Sequence, residues 1–173
     1  MITPRLRLEP LLPDHADAMF DGLRDPRLYA YTPHEPPVSR EALRARYERL
    51  ATRRSPDGSQ QWLNWAVAER DGGAYLGYVQ ATVRADGSAA VAYVLFHHAW
   101  GNGFAREALR AVLDELAGRY GCRAADASVE PDNLRSIVVL EALDFVPDGH
   151  DSDGLRYRKA LAPAVDHQEA PRS

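Results

Sequence analysis

The spacing of apolar and polar positions changes several times along the chain, and each change marks an element. Arg5-Leu6-Arg7-Leu8-Glu9 alternates strictly, which is the two-residue repeat of a strand with one buried face. Two stretches then take up helical spacing, one opened by Pro13-Asp14-His15 and running to about Arg24, the other opened by Ser39 and running to about Arg54. Between them residues 25–38 are rich in proline and aromatics, which excludes a long regular element. Residues 61–69 and 74–84 read as strands joined by Asp71-Gly72-Gly73, and Asp86-Gly87 turns the second into the apolar run 89–96. An antiparallel meander follows. Ala105, Leu109, Val112, Leu113 and Leu116 then recur at helical spacing, with charged residues on the other faces, until Gly121 ends the helix. The run from Cys122 to Val129 reads as a strand, so this segment is a β-α-β step, for which a right-handed parallel connection is expected. Residues 133–143 read as a short helix capped by Asp132 or Asn133, followed by strands near Phe145 and over 155–160. The pattern predicts an α/β fold: one domain over residues 1–162 with a mixed central sheet and flanking helices. The polar tail 163–173 is expected to be disordered.

Composition narrows the reading. At 173 residues, 45% hydrophobic and 27% charged, the chain can bury one sizeable core and is too short for two ordinary domains. A net charge of −4 and a pI near 5.9 give no general attraction to nucleic acid or anionic lipid, so neither nucleic acid nor membrane is an expected partner. The basic run Arg44, Arg46, Arg49, Arg53 and Arg54 reads as a solvated helix face. Cys122 is the single cysteine and reads as a small buried hydrophobe; no cysteine pair or His/Asp cluster has metal-ligand spacing, so no metal is expected. With no signal peptide or long apolar segment ahead of the fold, the expected location is the cytoplasm, and a homodimer is an open possibility.

Chemistry concentrates at Trp100-Gly101-Asn102-Gly103-Phe104-Ala105-Arg106, between the apolar run and the periodic helix. A strand feeding through small residues into a helix start aims backbone N–H groups and the positive end of the helix dipole at one point, which favours a phosphate. Turn chemistry alone leaves a ligand-free turn equally open. A nucleotide-phosphate binder is a further alternative, although the stretch lacks the G-K-[ST] ending of a P-loop, and Ala105-Arg106 stand where a dinucleotide fingerprint needs a third glycine. A second block runs Val129-Glu130-Pro131-Asp132-Asn133-Leu134-Arg135-Ser136 and on to Leu143-Asp144-Phe145. In this order and about thirty residues apart, the two blocks resemble the acetyl-CoA-binding loop and the "Asn-x-x-Ser…Gly-Phe" segment of the GCN5-related N-acetyltransferase (GNAT) superfamily. Trp100 in place of the common Arg or Gln looks like the branch of ribosomal-protein N-terminal (Rim-type) acetyltransferases, whereas Asp144 departs from that branch's Gly. The resemblance extends from Pro4 to about Leu161.

The resemblance implies a GNAT-like fold in which the 89–96 strand carries a β-bulge and splays from the next strand. It implies that pantetheine enters the crevice and bonds the main chain of Val94, Leu95 and Phe96. The amides from Trp100 to Arg106 would hold the pyrophosphate, and Asn133 and Ser136 would face the cofactor arm. The implied reaction transfers an acetyl group from acetyl-CoA to an amine by direct attack in a ternary complex. Such a reaction needs a neutral amine, oxyanion stabilisation and an acid for the leaving thiolate. The N–H near Phe96 is the expected donor to the thioester oxygen. Many relatives place an acidic tyrosine seven residues beyond the Asn; that position is Leu140, and Ser136 is the expected replacement. A base is less defined: the strand offers only Ala89, Ala90 and Ala92 where relatives place a glutamate, leaving His97, His98, Glu130 or a water chain. Tyr29, Tyr31, His34, Trp62 and Trp65 are candidate walls of the acceptor pocket, with one tryptophan assigned to the core because their spacing is odd; Trp65 is taken as the wall. The acceptor is a peptide N-terminus or a small-molecule amine, including an aminoglycoside-like or polyamine substrate, and an acidic surface suits a cationic one. The alternative function is a non-catalytic acyl-CoA-binding module.

Overall fold

The computed structural model describes residues 1–32 and 34–162, so the tail expected from residue 163 lies outside the described residues. Strand β1 (Leu6–Pro10) leads to helix α1 (His15–Leu23), a 3₁₀ turn over Pro26–Tyr29 and helix α2 (Arg40–Ala51). The meander β2 (Gln61–Glu69), β3 (Tyr75–Val83) and β4 (Ser88–Leu95) follows. A 3₁₀ turn over His97–Ala99 then precedes helix α3 (Phe104–Gly118), β5 (Ala124–Val129), α4 (Leu134–Glu141), β6 (Val146–Asp151) and β7 (Gly154–Ala160). The strands form one seven-stranded sheet in the order β1-β2-β3-β4-β5-β7-β6, antiparallel except for β4 with β5. The mixed sheet read from the sequence is present, and no helix among the described residues is long and apolar enough to cross a membrane.

Two apolar layers hold the sheet. On one face, Ala108, Leu109, Val112, Leu113 and Leu116 of α3 and Leu140 of α4 pack on Val79, Ala81, Ala89 and Val91. On the other, Met19, Phe20 and Leu23 of α1 and Leu43 and Tyr47 of α2 pack on Ala66 and Phe96. The alternation of strand side chains assigns each residue to a layer, and it settles the tryptophan question: Trp65 is 5% exposed in the α3 layer, so it is core and not a wall of an acceptor pocket.

The start of α2 follows its sequence signal, with the Ser39 hydroxyl accepting from the Ala42 N–H at 3.1 Å. Asn133 caps α4, its side chain accepting from the Ser136 N–H at 3.3 Å. The bulge lies elsewhere than expected. The β3–β4 register runs without interruption from Gly77↔Leu95 to Val83↔Ala89, while the slip falls between β2 and β3, at Val67/Ala68. Gly77 explains the local geometry: its φ of 139° is closed to most side chains, and a Cβ there would lie 2.0 Å from the Val94 carbonyl. The irregularity sits on the strand that carries the glycine.

Candidate active site

Only three residue pairs join β4 to β5, ending at Ala90↔Asp126, and beyond them the two strands have no ladder between them. Arg84 clamps the closed end with a bidentate contact to Asp126, at 2.5 and 3.1 Å. Past this clamp the open edge of β4 is defined by parity. Arg84 bonds the Ser88 carbonyl, and the Phe96 N–H donates to the Leu76 carbonyl at 2.7 Å, so the even-numbered residues of β4 spend their main-chain groups on β3. Tyr93 and Leu95 therefore direct theirs into the crevice. This corrects two expectations: Val94 and Phe96 face β3 with their main chains, and the Phe96 N–H is not free to meet a thioester oxygen. Leu95 remains available through its N–H, since its carbonyl accepts from Trp100 Nε1 at 2.8 Å.

At the end of β4 the chain makes an amide cradle. Gly101 and Gly103 both lie in the left-handed region, at φ 75° and 76°, and Gly103 is the N-cap of α3 with no side-chain cap bond. Among the described residues, the N–H groups of Gly101, Asn102, Gly103, Phe104, Ala105 and Arg106 donate to no protein acceptor. An anion here would satisfy them and meet the positive end of a 15-residue helix. The Asn102 amide folds back on the Trp100 carbonyl at 3.0 Å, so its side chain shapes the loop. Arg106 is exposed at the cradle's rim.

Arg5, the residue just before β1, holds the cradle, a role no local sequence signal announced. Its Nη1 donates to the Asn102 carbonyl at 2.9 Å, its Nε to Glu107 at 2.7 Å, and its guanidinium lies 4.7 Å from the centre of the Phe104 ring. Glu107 also accepts from the Thr3 hydroxyl at 2.6 Å and from the Arg5 N–H at 2.9 Å. Burial pushes the Glu107 carboxyl up, but these donors and the Arg5 charge outweigh it and hold the carboxyl below its ordinary value.

Beside the crevice, Tyr93 of β4 and Ser136 of α4 meet, with the phenol oxygen 3.1 Å from the serine oxygen. Burial raises the phenol's pKa, against smaller lowering effects from Ser136 and the Arg135 charge. Leu140, at the position where relatives carry a tyrosine, is 3% exposed in the core. A phenol is thus present near Ser136, delivered from the sheet rather than from the helix. Sequence reading missed Tyr93 inside an apolar run; the signal was its hydroxyl, which needs a partner when buried. Arg135 lies 3.8 Å from the centre of the Trp100 indole, so α4 and the end of β4 touch at this stack.

The remaining candidates separate. His97 packs against Trp100 with ring centres 4.8 Å apart, and its Nε2 lies 3.2 Å from Arg27 Nη1. A guanidinium can only donate, so in this contact the imidazole Nε2 stands as the acceptor. Arg27 in turn hydrogen-bonds Asp25 and holds that carboxyl at about 2. Glu130, at the end of β5, is exposed and has no side-chain partner among the described residues, whereas Ser136 pairs with Tyr93 and with neither His97 nor Glu130. Tyr29 donates to the Leu23 carbonyl at 2.7 Å and lines a pocket between α1, α2 and the β2–β3 face. Tyr31 and His34 are exposed outside that pocket's lining, and Asn64, Tyr78 and Gln80 line it instead. Trp62 is half-buried on the same sheet face as Asn64.

Comparison with known proteins now bears on this geometry. The family described as "Acetyltransferase (GNAT) domain" matches residues 5–146. The chain belongs to the GNAT family of acetyltransferases. A relative from Bacillus licheniformis, described as an uncharacterized N-acetyltransferase p20, is 35% identical over 81 residues, a match spanning 47% of this chain and 44% of that protein, so less than half the length of this curated relative is covered. Two solved structures share the fold. The RimL ribosomal L7/L12 alpha-N-protein acetyltransferase in complex with coenzyme A superposes with a TM-score of 0.80 at 16% identity, covering 93% of this chain and 97% of that one. Spermidine N-acetyltransferase from Vibrio cholerae, in complex with CoA and spermine, gives 0.76 at 18% identity, covering 92% and 97%. The family resemblance carried by the two sequence blocks is thereby borne out, and a Rim-type enzyme has the same fold.

Proposed function

We propose that this GNAT protein transfers an acetyl group from acetyl-CoA to a primary amine, on a protein N-terminus or a small molecule, by direct attack in a ternary complex. The observation that carries the reading is the splay beyond Ala90↔Asp126, because it joins the main-chain groups of Tyr93 and the N–H of Leu95 to an amide cradle at the start of α3. These groups fit coenzyme A: the sheet edge suits the pantetheine amides and the cradle suits the pyrophosphate. Acetyl-CoA supplies the activated acyl group and a thiol leaving group.

The chain's own residues divide the remaining work. The Leu95 N–H, on the open edge of β4, is free to donate to a pantetheine amide carbonyl or to the thioester oxygen. Tyr93 keeps its proton at neutral pH and donates toward the leaving sulfur, with Ser136 orienting the phenol. Phe96 acts as packing, its N–H spent on Leu76. No carboxylate stands on β4, so the acceptor enters as the free amine or gives its proton to water or to one of the exposed groups His98 and Glu130.

The test is direct. Purified protein should bind acetyl-CoA by calorimetry and release free thiol when offered a panel of amines and peptides. Binding without thiol release from any acceptor would instead identify an acyl-CoA-binding module; failure to bind acetyl-CoA would remove the reading altogether.

A further inference from the structure

Arg135, the second residue of α4, has no carboxylate within 4.0 Å and no hydrogen-bond partner for its guanidinium among the described residues. Its charge rests instead on the indole of Trp100, 3.8 Å from the ring centre, and also acts on the Tyr93 phenol. All five guanidinium N–H donors are therefore open to a ligand. Trp100 is fixed from its own side, with Nε1 bonded to the Leu95 carbonyl at 2.8 Å and the His97 ring packed on it at 4.8 Å between centres.

The place of this stack matters more than its strength. β4 and β5 share no ladder past Ala90↔Asp126, and two side-chain contacts cross that gap from the first turn of α4: Ser136 to Tyr93 at 3.1 Å, and Arg135 to Trp100. Trp100 is also the residue just before Gly101, where the run of unspent amides begins, and its carbonyl is held by the Asn102 side chain at 3.0 Å. The arginine is thus parked across the crevice, next to the first amide of the cradle. An exposed cation–π contact is weak, whereas a guanidinium–phosphate pair is charge-assisted and forked, so a phosphate at the cradle outcompetes the indole for Arg135. Nothing acidic in the first turn of α4 holds the arginine back, and the helix dipole there disfavours a cation.

Resting on the acetyltransferase reading, we propose that Arg135 is a latch worked by the cosubstrate. In the empty protein its stack on Trp100 ties α4 to the end of β4 and closes the crevice. A phosphate of the cosubstrate takes the guanidinium, the tie is released, and the pantetheine arm passes between Trp100 and α4. Arg135 thereby selects for phosphorylated acyl donors and against acyl-pantetheine, which offers nothing in exchange for the indole.

The experiment measures the affinities of CoA, dephospho-CoA and pantetheine by calorimetry at several salt concentrations, for the wild-type protein, Arg135→Gln and Arg135→Lys, and follows tryptophan emission in the same titrations. Trp100→Phe assigns the emission that belongs to Trp100 rather than to Trp62 or Trp65. Arg135→Gln should bind CoA about tenfold to a hundredfold more weakly, the scale of one charge-assisted pair, with a shallower salt dependence, and should bind pantetheine at least as tightly as the wild type. Arg135→Lys should recover part of the CoA affinity. CoA should change the Trp100 emission of the wild type, and Arg135→Gln should abolish most of that change. A CoA penalty that disappears with dephospho-CoA assigns the guanidinium to the 3′-phosphate, and one that persists assigns it to the diphosphate; either supports the proposal. Unchanged CoA affinity in Arg135→Gln, an equal loss for CoA and pantetheine, or a Trp100 response to CoA that survives the substitution would overturn it and leave the acetyltransferase reading in place. A wild-type protein that binds no CoA would overturn both.

Discussion

Replacing Tyr93 by Phe removes one oxygen and leaves the ring. The lost contact is the 3.1 Å bond to Ser136, at a site where both side chains are half-buried. A single intramolecular hydrogen bond of this kind contributes about 0.5–1.5 kcal/mol. For a domain of this size each kcal/mol is worth about 2–4 °C in Tm, so the variant should melt roughly 1–6 °C lower and remain folded at assay temperature. The effect on turnover should be far larger, because a positioned proton donor contributes about 10²-fold or more to a rate while contributing little to substrate binding. In a thiol-release assay kcat should therefore fall about a hundredfold with acetyl-CoA affinity unchanged. Ser136→Ala should cost less, since the phenol keeps its proton, and the double variant should resemble Tyr93→Phe alone because the two groups act as a unit. Burial holds the phenol above its ordinary value, so this group should produce no alkaline fall in rate below about pH 10. A folded Tyr93→Phe protein with kcat within roughly threefold of wild type would refute the assignment of Tyr93 as proton donor.

Three further outcomes follow from the geometry. Gly103→Val places a branched side chain at φ 76°, and with Arg5 Nη2 3.5 Å from the new Cβ the penalty is conformational rather than steric; the acetyl-CoA dissociation constant, measured by calorimetry, should rise about tenfold or more, and unchanged affinity would remove the loop from the site. Gly77→Ala drives a Cβ to 2.0 Å from the Val94 carbonyl, so denaturant unfolding should show a loss of several kcal/mol, about the upper range for single substitutions, and a loss under about 1 kcal/mol would contradict the close approach of β3 to β4. Because Glu107 is held below its ordinary pKa in the folded protein, its contribution to stability is present above about pH 4.5 and is lost as pH falls through the lower folded value; Glu107→Gln should flatten that acid decline in a pH series of melting temperatures, and an identical decline in both proteins would show that other carboxylates carry it.

Local signals carried the element order well. The strict alternation at Leu6 and Leu8, the helical repeat of Leu109, Val112 and Leu116, the Ser39 and Asn133 caps and the paired left-handed glycines all depend on residues close in sequence. The parity of β4 was not legible. Whether Val94 or Leu95 presents its N–H to the crevice depends on the pairing of Gly77 with Leu95, and a one-residue slip would exchange every role along the strand. The same limit applies to Trp65, whose face is set by its register against Val79, and to Arg5, which reaches Asn102 across 97 residues of chain.

The parity of β4 separates two kinds of freedom to change. Its odd residues turn peptide groups into the crevice, and every residue except proline carries those groups in the same form, so what the edge offers is indifferent to most side-chain substitutions. Its even side chains, Ala90 and Ala92, lie on the other side of the sheet in line with Asn64, Gln80 and Thr82. One strand therefore holds an invariant grip and an editable surface back to back. Positions 90, 92, 80 and 64 can therefore be varied together while the main-chain groups that β4 offers to the crevice stay unaltered.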